Sequence, residues 1–297
     1  MSRSVRIRAF AKINLNLKVL GPRPDGYHEL RTVYQTITLA DRLEVRLAPG
    51  STAVQVECDN PQIPSGPDNL VYRAAIAWRR ARRDRSAIQI RLAKRIPAGA
   101  GLGGGSSDAA VTLLALERLT GDRLDLKARL EIAAGLGSDV PLFLLGGRVL
   151  GCGRGEEVYP LLDLPSRFCL VAFPGFSVNT SEAFRQFSSG LTPLKSGSRI
   201  GKFGARPLFP MMEWEPAEND FEPIVFAKWP ELASLKRRFI QAGAETALLT
   251  GSGSALYAVF DSAEQLLRAR KQIPPGWKVF RARTLSRAGY WRQLFES

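Results

Sequence analysis

A glycine-rich loop between a strand pattern and a helix pattern constrains the fold more than any other feature of the chain. The loop opens the stretch PAGAGLGGGSSDAA at 97–110, which holds five glycines. The segment before it, SAIQIRLAKRIP, alternates apolar and polar residues and predicts a strand. The segment after it predicts a helix that stops at Gly121, with Ser106 or Ser107 as its N-cap and Asp108 in its first turn.

This order of strand, glycine loop and helix start predicts an anion-binding site. The first N–H groups of a helix have no partner within the helix, and the positive end of the helix dipole lies at the same place. Glycine also lets the backbone approach a bound phosphate closely. A merely flexible turn is the weaker interpretation, because each ordered glycine costs about 0.5–1 kcal/mol relative to alanine.

The common nucleotide-binding patterns do not account for the loop. The spacing Gly99-x-Gly101-x-x-Gly104 matches the dinucleotide fingerprint, which also needs an acidic residue at the end of the next strand. The next segment instead predicts a helix, so Asp122 and Asp125 fall in a helix–helix connection. The common triphosphate loop needs Gly-Lys-Ser/Thr and protein kinases need His-Arg-Asp and Asp-Phe-Gly, and the sequence contains none of these triplets.

Composition and charge limit the class of protein. The 297 residues are 45% apolar, which is enough for two ordinary domains, and no apolar window is long enough for a membrane span. Three cysteines and a single histidine offer no zinc or disulfide framework, so we expect a cytoplasmic protein. The net charge of +14 is compatible with nucleic acid or with an acidic small molecule. The arginine-rich run at 78–85 spreads around a predicted helix, which favours a solvated face over a nucleic-acid patch.

Strand and helix patterns both occur along the chain and predict an α+β fold. Val5–Val19 alternates as a half-buried strand or hairpin, which places Lys12, Asn14 and Asn16 on one face. A second helix, at 126–136, ends in GLGSDVP, and Asp139 lies in that break.

A break in the pattern near 160–165 predicts two domains, at 1–162 and 163–297. The segment Ser188–Pro207 is rich in Ser, Gly, Lys and Arg and is predicted to be a mobile loop. In the second domain, Ser262 and Gln265 predict a capping box at the start of a helix.

The glycine loop with its SSDAA ending resembles the phosphate-binding loop of the GHMP kinases, the superfamily of galactokinase, homoserine kinase, mevalonate kinase and phosphomevalonate kinase. Further blocks resemble one branch, whose members phosphorylate a cytidine-diphosphate sugar alcohol in non-mevalonate isoprenoid synthesis. These blocks are AKINLNL (11–17), RPDGYHEL (23–30), DNL (68–70), GSDVPLF (137–143), GRGE (153–156) and LTGSGSA (249–255). They span nearly the whole chain, so the resemblance is more specific than the loop alone.

The resemblance implies a two-domain GHMP kinase fold. Its N-terminal nucleotide domain is ribosomal-protein-S5-domain-2-like, and its C-terminal domain is a ferredoxin-like α/β sandwich that contributes to substrate binding. The resemblance also implies ATP with Mg2+ as the phosphoryl donor and a small-molecule acceptor that is phosphorylated on its 2-hydroxyl. We expect no nucleic-acid or membrane partner, and a monomer or homodimer; the metal ligands stay unassigned.

Site residues follow from the matching positions. Asp139 matches the general base of the family, and Lys12 matches the lysine that pairs with it near the reacting hydroxyl. The ATP-binding positions implied by the resemblance are Pro97, Ala98, Gly99, Ala100, Gly101, Leu102, Gly103, Gly104, Gly105, Ser106, Ser107, Asn69 and Lys94. The substrate-binding positions are Asn14, Tyr27, His28, Thr180 and Phe184, of which His28 reads the cytosine and Tyr27 and Phe184 stack on its two faces.

Several alternatives stay open at the level of sequence. Without the resemblance, Asp139 serves equally well as a helix N-cap, and Lys12 is a solvated strand residue. A GHMP kinase with another acceptor, such as homoserine or a mevalonate derivative, has the same loop but no need for the GYH motif or Phe184. A basic nucleic-acid-binding protein that keeps the fold without catalysis is the alternative from another class.

Overall fold

The structure is a computed structural model, and it describes residues 4–48, 53–84, 86–189 and 217–296. The predicted loop at Ser188–Pro207 lies outside these residues from position 190 onward. The strands are β1 (Ser4–Pro22), β2 (His28–Ala48), β3 (Val54–Cys58), β4 (Ala87–Ala93), β5 (Arg148–Cys152), β6 (Glu157–Pro160), β7 (Phe168–Phe173), β8 (Thr246–Leu249), β9 (Leu256–Phe260), β10 (Lys278–Arg283) and β11 (Phe295–Glu296). The helices are α1 (Leu70–Arg82), α2 (Gly104–Thr120), α3 (Leu126–Leu136), α4 (Leu142–Leu145), α5 (Thr180–Ser189), α6 (Glu222–Lys228), α7 (Pro230–Gln241), α8 (Ala263–Arg270) and α9 (Arg287–Leu294). None of the described helices has the length and apolar character that crossing a membrane requires.

The first sheet is built on a long antiparallel pair, β1 and β2. Its strand order is β11-β1-β2-β4-β3, and β5 and β6 extend it from the other half of β2. Helices α1 and α2 cover one face, where Trp78 and Phe143 belong to the largest apolar cluster. Burying such aromatic side chains contributes much of the stability of a domain of this size.

The second sheet has the order β10-β7-β9-β8 and is antiparallel throughout. One face packs against helices through Phe239 of α7 and Leu266 of α8. Its other face meets the first sheet, where Ile13 of β1 and Tyr257 of β9 share an apolar cluster. The two sheets therefore share one core.

That shared core corrects one prediction about β1. The alternation at Val5–Val19 predicts a half-buried strand, but Phe10, Lys12 and Asn14 are all buried. The strand lies between helices on one side and the second sheet on the other, so its polar face is covered as well as its apolar face. Polar side chains in such a place need internal partners.

The end of the chain returns to the first sheet. Strand β11 pairs with β1, with Ile7 opposite Phe295, and the hydroxyl of Tyr290 in α9 donates to the carbonyl oxygen of Phe143 at 2.6 Å. This short helix and strand carry no periodic sequence signal and are absent from the sequence prediction. Residues of α9 and β11, near the end of the chain, thus pack on the first sheet. The division into two domains between residues 162 and 163 stays a prediction.

The start of α2 differs from the sequence prediction. The helix begins at Gly104 with Gly103 as its N-cap, so the prediction that Ser106 or Ser107 is the cap is wrong, as is the place of Asp108 in the first turn. Gly103 has a φ of 70°, which glycine adopts without strain, and Ser107 N already donates to the Gly103 carbonyl at 2.9 Å. The predicted capping box of Ser262 and Gln265 is confirmed.

Candidate active site

An ion pair joins the middle of β1 to the turn after α3. Lys12 lies on β1, and its Nζ is 3.4 Å from Oδ2 of Asp139, which belongs to the turn at 138–141. The backbone N–H of Lys12 donates to the carbonyl oxygen of Leu102 at 3.0 Å. The same residue therefore contacts the candidate base with its side chain and the glycine loop with its backbone.

Asp139 is held from two sides and stays accessible. Its Oδ1 accepts a hydrogen bond of 3.0 Å from the hydroxyl of Tyr34, and its side chain is 30% exposed. Burial, together with the negative charge of Asp139, raises the pKa of the Tyr34 hydroxyl well above its usual value, which keeps the phenol protonated as a donor. Nζ of Lys12 lies 5.4 Å from the centre of the Tyr34 ring. Asp139 is not a helix N-cap, because the N-cap residue of the following helix, α4, is Pro141.

Asn14 joins Lys12 to the turn at 250–253. Its buried carboxamide oxygen accepts from Nζ of Lys12 at 2.8 Å, from the backbone N–H of Gly251 at 2.8 Å and from the hydroxyl of Thr250 at 3.3 Å. Its Nδ2 donates to the hydroxyl oxygen of Thr32 at 2.7 Å. Asn14 therefore positions the lysine, and one N–H of its amide is engaged in doing so.

The glycine loop is pressed against the turn at 250–253. Gly101 has a φ of 80°, and a Cβ placed on it would lie 1.9 Å from the carbonyl oxygen of Thr250. A Cβ on Gly103 would lie 3.0 Å from Cγ of Lys12. The LTGSGSA block thus packs against the glycine loop and supports it. Sequence spacing does not reveal this contact.

The start of α2 has the properties that a phosphate site requires. No side chain caps this helix, so its first N–H groups have no side-chain acceptor. Ser106 is half-buried in the first turn, whereas Ser107 is fully buried and its hydroxyl oxygen has no hydrogen-bond partner within the described chain. The backbone, more than the two serine hydroxyls, is available to an anion in this conformation.

Lys94 lies beside the loop in a buried ion cluster. Its Nζ contacts Asp41 and lies 2.7 Å from Oδ2 of Asp108, and a Cβ on Gly104 would lie 3.3 Å from it. Burial raises the pKa of the Asp108 carboxyl to about 8, although the charge of Lys94 opposes this shift. Asn69 caps α1 by accepting from Val71 N. Both predicted nucleotide residues therefore have structural partners already.

The predicted cytosine pocket is closed in this conformation. The rings of His28 and Phe184 stack on each other with their centroids 4.9 Å apart, and Phe184 also packs edge-on against Phe221. The His28 ring therefore covers a face of Phe184 on which the cytosine was predicted to stack. Tyr27 is 54% exposed, and its ring contacts the guanidinium of Arg154 instead.

The remaining predicted substrate residue, Thr180, is exposed at the start of α5. Its hydroxyl lies 2.9 Å from the hydroxyl of Ser252 in the turn that supports the glycine loop. Across the described chain, no group of three His, Cys, Asp or Glu side chains is arranged to hold a metal ion.

Comparison with known proteins agrees with this geometry. Residues 69–147 match the family model described as the GHMP kinases N terminal domain, and residues 207–275 match GHMP kinases C terminal. The 4-diphosphocytidyl-2-C-methyl-D-erythritol kinase of Solibacter usitatus is 45% identical over 98% of this chain and 93% of that protein. The protein of that name from Pelotomaculum thermopropionicum is 42% identical over 87% of this chain and 91% of that protein.

The chain belongs to the 4-diphosphocytidyl-2-C-methyl-D-erythritol kinase family of the GHMP kinases.

Solved structures agree with this assignment. A crystal structure of a 4-(cytidine 5'-diphospho)-2C-methyl-D-erythritol kinase matches with a TM-score of 0.72 and 35% identity, covering 96% of this chain and 99% of that one. A homoserine kinase from Cytophaga hutchinsonii matches with a TM-score of 0.69 at 19% identity over 95% of both chains, which supports the fold alone. The predicted GHMP kinase fold and membership of a kinase family are therefore confirmed.

Sequence reasoning missed two members of this candidate site. Tyr34 holds the second oxygen of Asp139, and Thr250 helps to hold Asn14. Tyr34 lies opposite Asn14 in the β1–β2 register, so correct pairing of these strands would have revealed it. Thr250 lies within the LTGSGSA block, for which the family resemblance implies no site residue.

Proposed function

We propose that the chain transfers the γ-phosphoryl group of ATP to the 2-hydroxyl of 4-diphosphocytidyl-2-C-methyl-D-erythritol, giving the 2-phosphate and ADP. The observation that carries this proposal is the joint position of Lys12, with its side chain on Asp139 and its backbone on Leu102 of the glycine loop. A candidate base and a candidate triphosphate cradle thus meet at one residue. Positioning and charge stabilisation are the main needs of phosphoryl transfer.

The triphosphate would lie against the uncapped start of α2. Backbone N–H groups of the loop at 97–107 would donate to its oxygens, and the helix dipole would favour its negative charge. Asn69 and Lys94 would line the nucleotide side. Mg2+ would accompany the phosphates and neutralise part of their charge, and the described residues offer no three-ligand protein cage for it.

Asp139 would accept the proton of the acceptor hydroxyl as its oxygen forms a bond to the γ-phosphorus and the bond from phosphorus to the bridging oxygen of ADP breaks. Tyr34 and Lys12 orient the carboxylate, which leaves its exposed edge for the hydroxyl. Lys12 would also offset the charge that moves with the phosphoryl group.

The cytidine end of the acceptor would bind at Tyr27, His28 and Phe184. Because the last two rings now stack on each other, binding would separate them and place the base against Phe184. Asn14 would use its remaining amide N–H for a hydroxyl of the acceptor, and Thr180 would contact the same part of the molecule. This acceptor is a small molecule, and the cytoplasmic location and the monomer or homodimer state stay predictions.

Acceptor specificity tests the proposal. The protein is incubated with ATP and Mg2+ and with each of three acceptors: 4-diphosphocytidyl-2-C-methyl-D-erythritol, homoserine and mevalonate. A coupled assay then follows ADP release. We expect turnover with the first acceptor and competitive inhibition by CDP. Turnover with homoserine or mevalonate, without inhibition by CDP, would instead show a GHMP kinase with another acceptor.

A further inference from the structure

A cavity lies next to the candidate active site but does not include it, where the chain passes from the first sheet to the second. It has a volume of about 970 Å3, and its walls come from β1, β2, β5, β6, the connection at 161–167 and the second sheet. Small-molecule sites in proteins usually measure about 300–1,000 Å3. Neither Lys12 nor Asp139, nor the rings of His28 and Phe184, line this cavity.

The wall of the cavity is rich in arginine. Arg31, Arg148, Arg167 and Arg287 line it, and the acidic residue among its lining is Glu245. Glu245 lies 3.8 Å from Arg167, which also pairs with Asp261. The acid in the wall is therefore already engaged.

Arg148 and Arg287 carry the excess positive charge. Within the residues that the structure describes, neither guanidinium has a carboxylate within salt-bridge distance, and Nε of each is buried without a hydrogen-bond partner. Burial lowers the pKa of Arg148, which means that its charged form is poorly solvated there. A partly buried cation without a counter-ion is unfavourable, so this wall favours a bound anion.

The carboxylate of Asp163 contacts both arginines through their backbones and not through their guanidinium groups. Oδ1 of Asp163 accepts from the backbone N–H of Arg148 at 3.4 Å, and its Oδ2 accepts from the backbone N–H of Arg287 at 2.7 Å. Asp163 thus fixes the two backbones. The terminal nitrogens of Arg287 donate to the carbonyl oxygens of Arg148 and Leu161, which positions the guanidinium without neutralising it.

Another part of the wall is apolar and open to solvent. Leu162 is 70% exposed, Leu164 is 47% exposed and Tyr159 is 53% exposed, and Pro160 and Pro165 also line the cavity. These residues form an apolar lip beside the arginines, which the exposed Asp163 interrupts between Leu162 and Leu164. Exposed apolar surface that adjoins a cavity is typical of a ligand-binding site.

We propose that this cavity binds an anionic amphiphile, a molecule with a phosphate or carboxylate head and a single aliphatic chain. The head contacts Arg148 and Arg287, and the chain lies along Leu162 and Leu164. Thr32 lines the cavity and accepts the hydrogen bond from Asn14, which itself holds Nζ of Lys12. Thr32 is thus the lining residue that hydrogen bonds connect to the Lys12–Asp139 ion pair.

Calorimetry with n-decyl phosphate, below its micellar concentration, tests this inference on the full chain. We expect one molecule to bind per chain, and Arg148→Gln to raise its Kd at least tenfold. The matched control is Arg270→Gln, which changes an exposed arginine on α8 and leaves the Kd unchanged. Because binding is measured directly, the outcome does not depend on the proposed kinase activity.

Two further measurements separate the contribution of the phosphate head from that of the aliphatic chain of the ligand. Inorganic phosphate is expected to bind at least tenfold more weakly than decyl phosphate, and decanol is expected not to bind. Leu162→Asp, at a solvent-exposed position where the fold is not at risk, is expected to weaken decyl phosphate binding at least fivefold with an unchanged Tm. The inference is overturned if the wild type does not bind decyl phosphate, if ATP or CDP displaces it, or if neither variant changes its Kd.

Discussion

Nζ of Lys12 lies 3.4 Å from Oδ2 of Asp139, and the two residues come from distant parts of the chain, β1 and the turn after α3. This ion pair is adjacent to the glycine loop, because the backbone of Lys12 also bonds Leu102. A carboxylate that can accept a proton and a lysine that can stabilise negative charge thus lie next to a predicted triphosphate site.

Replacing Asp139 by asparagine removes the proposed proton acceptor and keeps its shape. We expect Asp139→Asn to lower kcat about 10²- to 10⁴-fold, the usual contribution of a general base. The hydroxyl of Tyr34 can still donate to the amide oxygen, so the Tm should stay close to that of the wild type. Steady-state kinetics and thermal unfolding measure both. A folded variant with nearly normal kcat would mean that Asp139 is not the base.

Lys12→Met removes the cation and keeps most of the buried volume. It leaves Asp139 and Asn14 without their shared partner, so we expect kcat to fall by at least about 10²-fold, as for groups that stabilise transition-state charge. Because the two residues act as a unit, the Lys12→Met/Asp139→Asn double variant should be hardly slower than the slower single variant. Multiplicative losses in kcat would show that the two side chains act independently.

Gly101→Ala tests the close contact between the glycine loop and the turn at 250–253. The substitution puts a Cβ 1.9 Å from the carbonyl oxygen of Thr250 and requires a left-handed conformation that alone costs about 1–2 kcal/mol. We expect a lower Tm and a raised KM for ATP. Gly105→Ala is the matched control for stability, because its nearest neighbour, Cδ1 of Leu70, is 3.7 Å away. Equal Tm values for the two variants would contradict the close contact between loop and turn.

His28 is the single histidine of the chain, so one imidazole NMR signal reports on the closed aromatic pair. Burial lowers the pKa of His28, and we expect a titration midpoint below the usual ~6.5. Phe184→Ala exposes the ring and should move the midpoint upward. The unfolded state binds the proton more readily, so the free energy of unfolding should decrease as the pH falls through 6.5 towards the folded-state pKa, and less steeply in Phe184→Ala.

Addition of CDP provides the companion measurement for His28. If the base separates His28 from Phe184, the histidine signal should shift as the ring current of Phe184 is lost. An unchanged signal at saturating CDP would show that the nucleotide binds without opening this pair.

Local patterns predicted much of the fold. The strand at β1, the helix at 126–136 and the capping box of α8 all depend on short-range periodicity or capping, and all are present. The start of α2 was not predictable in the same way. The left-handed conformation of Gly103 begins the helix before the serines that sequence rules favour as caps.

The contacts of the candidate site depend on features that local sequence does not encode. The β1–β2 register shifts between Val19 and Gly21 and again between Asn14 and Asn16, so counting from the turn that joins the two strands does not pair Asn14 with Tyr34. The proximity of Lys12 and Asp139 was inferred from family resemblance, because local sequence also allowed a helix cap and a solvated lysine. Likewise, only the packing of the two sheets places Thr250 beside Asn14.

Product analysis tests the central claim most directly. The protein is incubated with ATP, Mg2+ and 4-diphosphocytidyl-2-C-methyl-D-erythritol, and the products are followed by 31P NMR in parallel with the Asp139→Asn variant. We predict a new phosphomonoester signal that grows together with ADP in the wild type and not in the variant. Release of ADP without the phosphomonoester, or equal product from the variant, would contradict the proposed reaction.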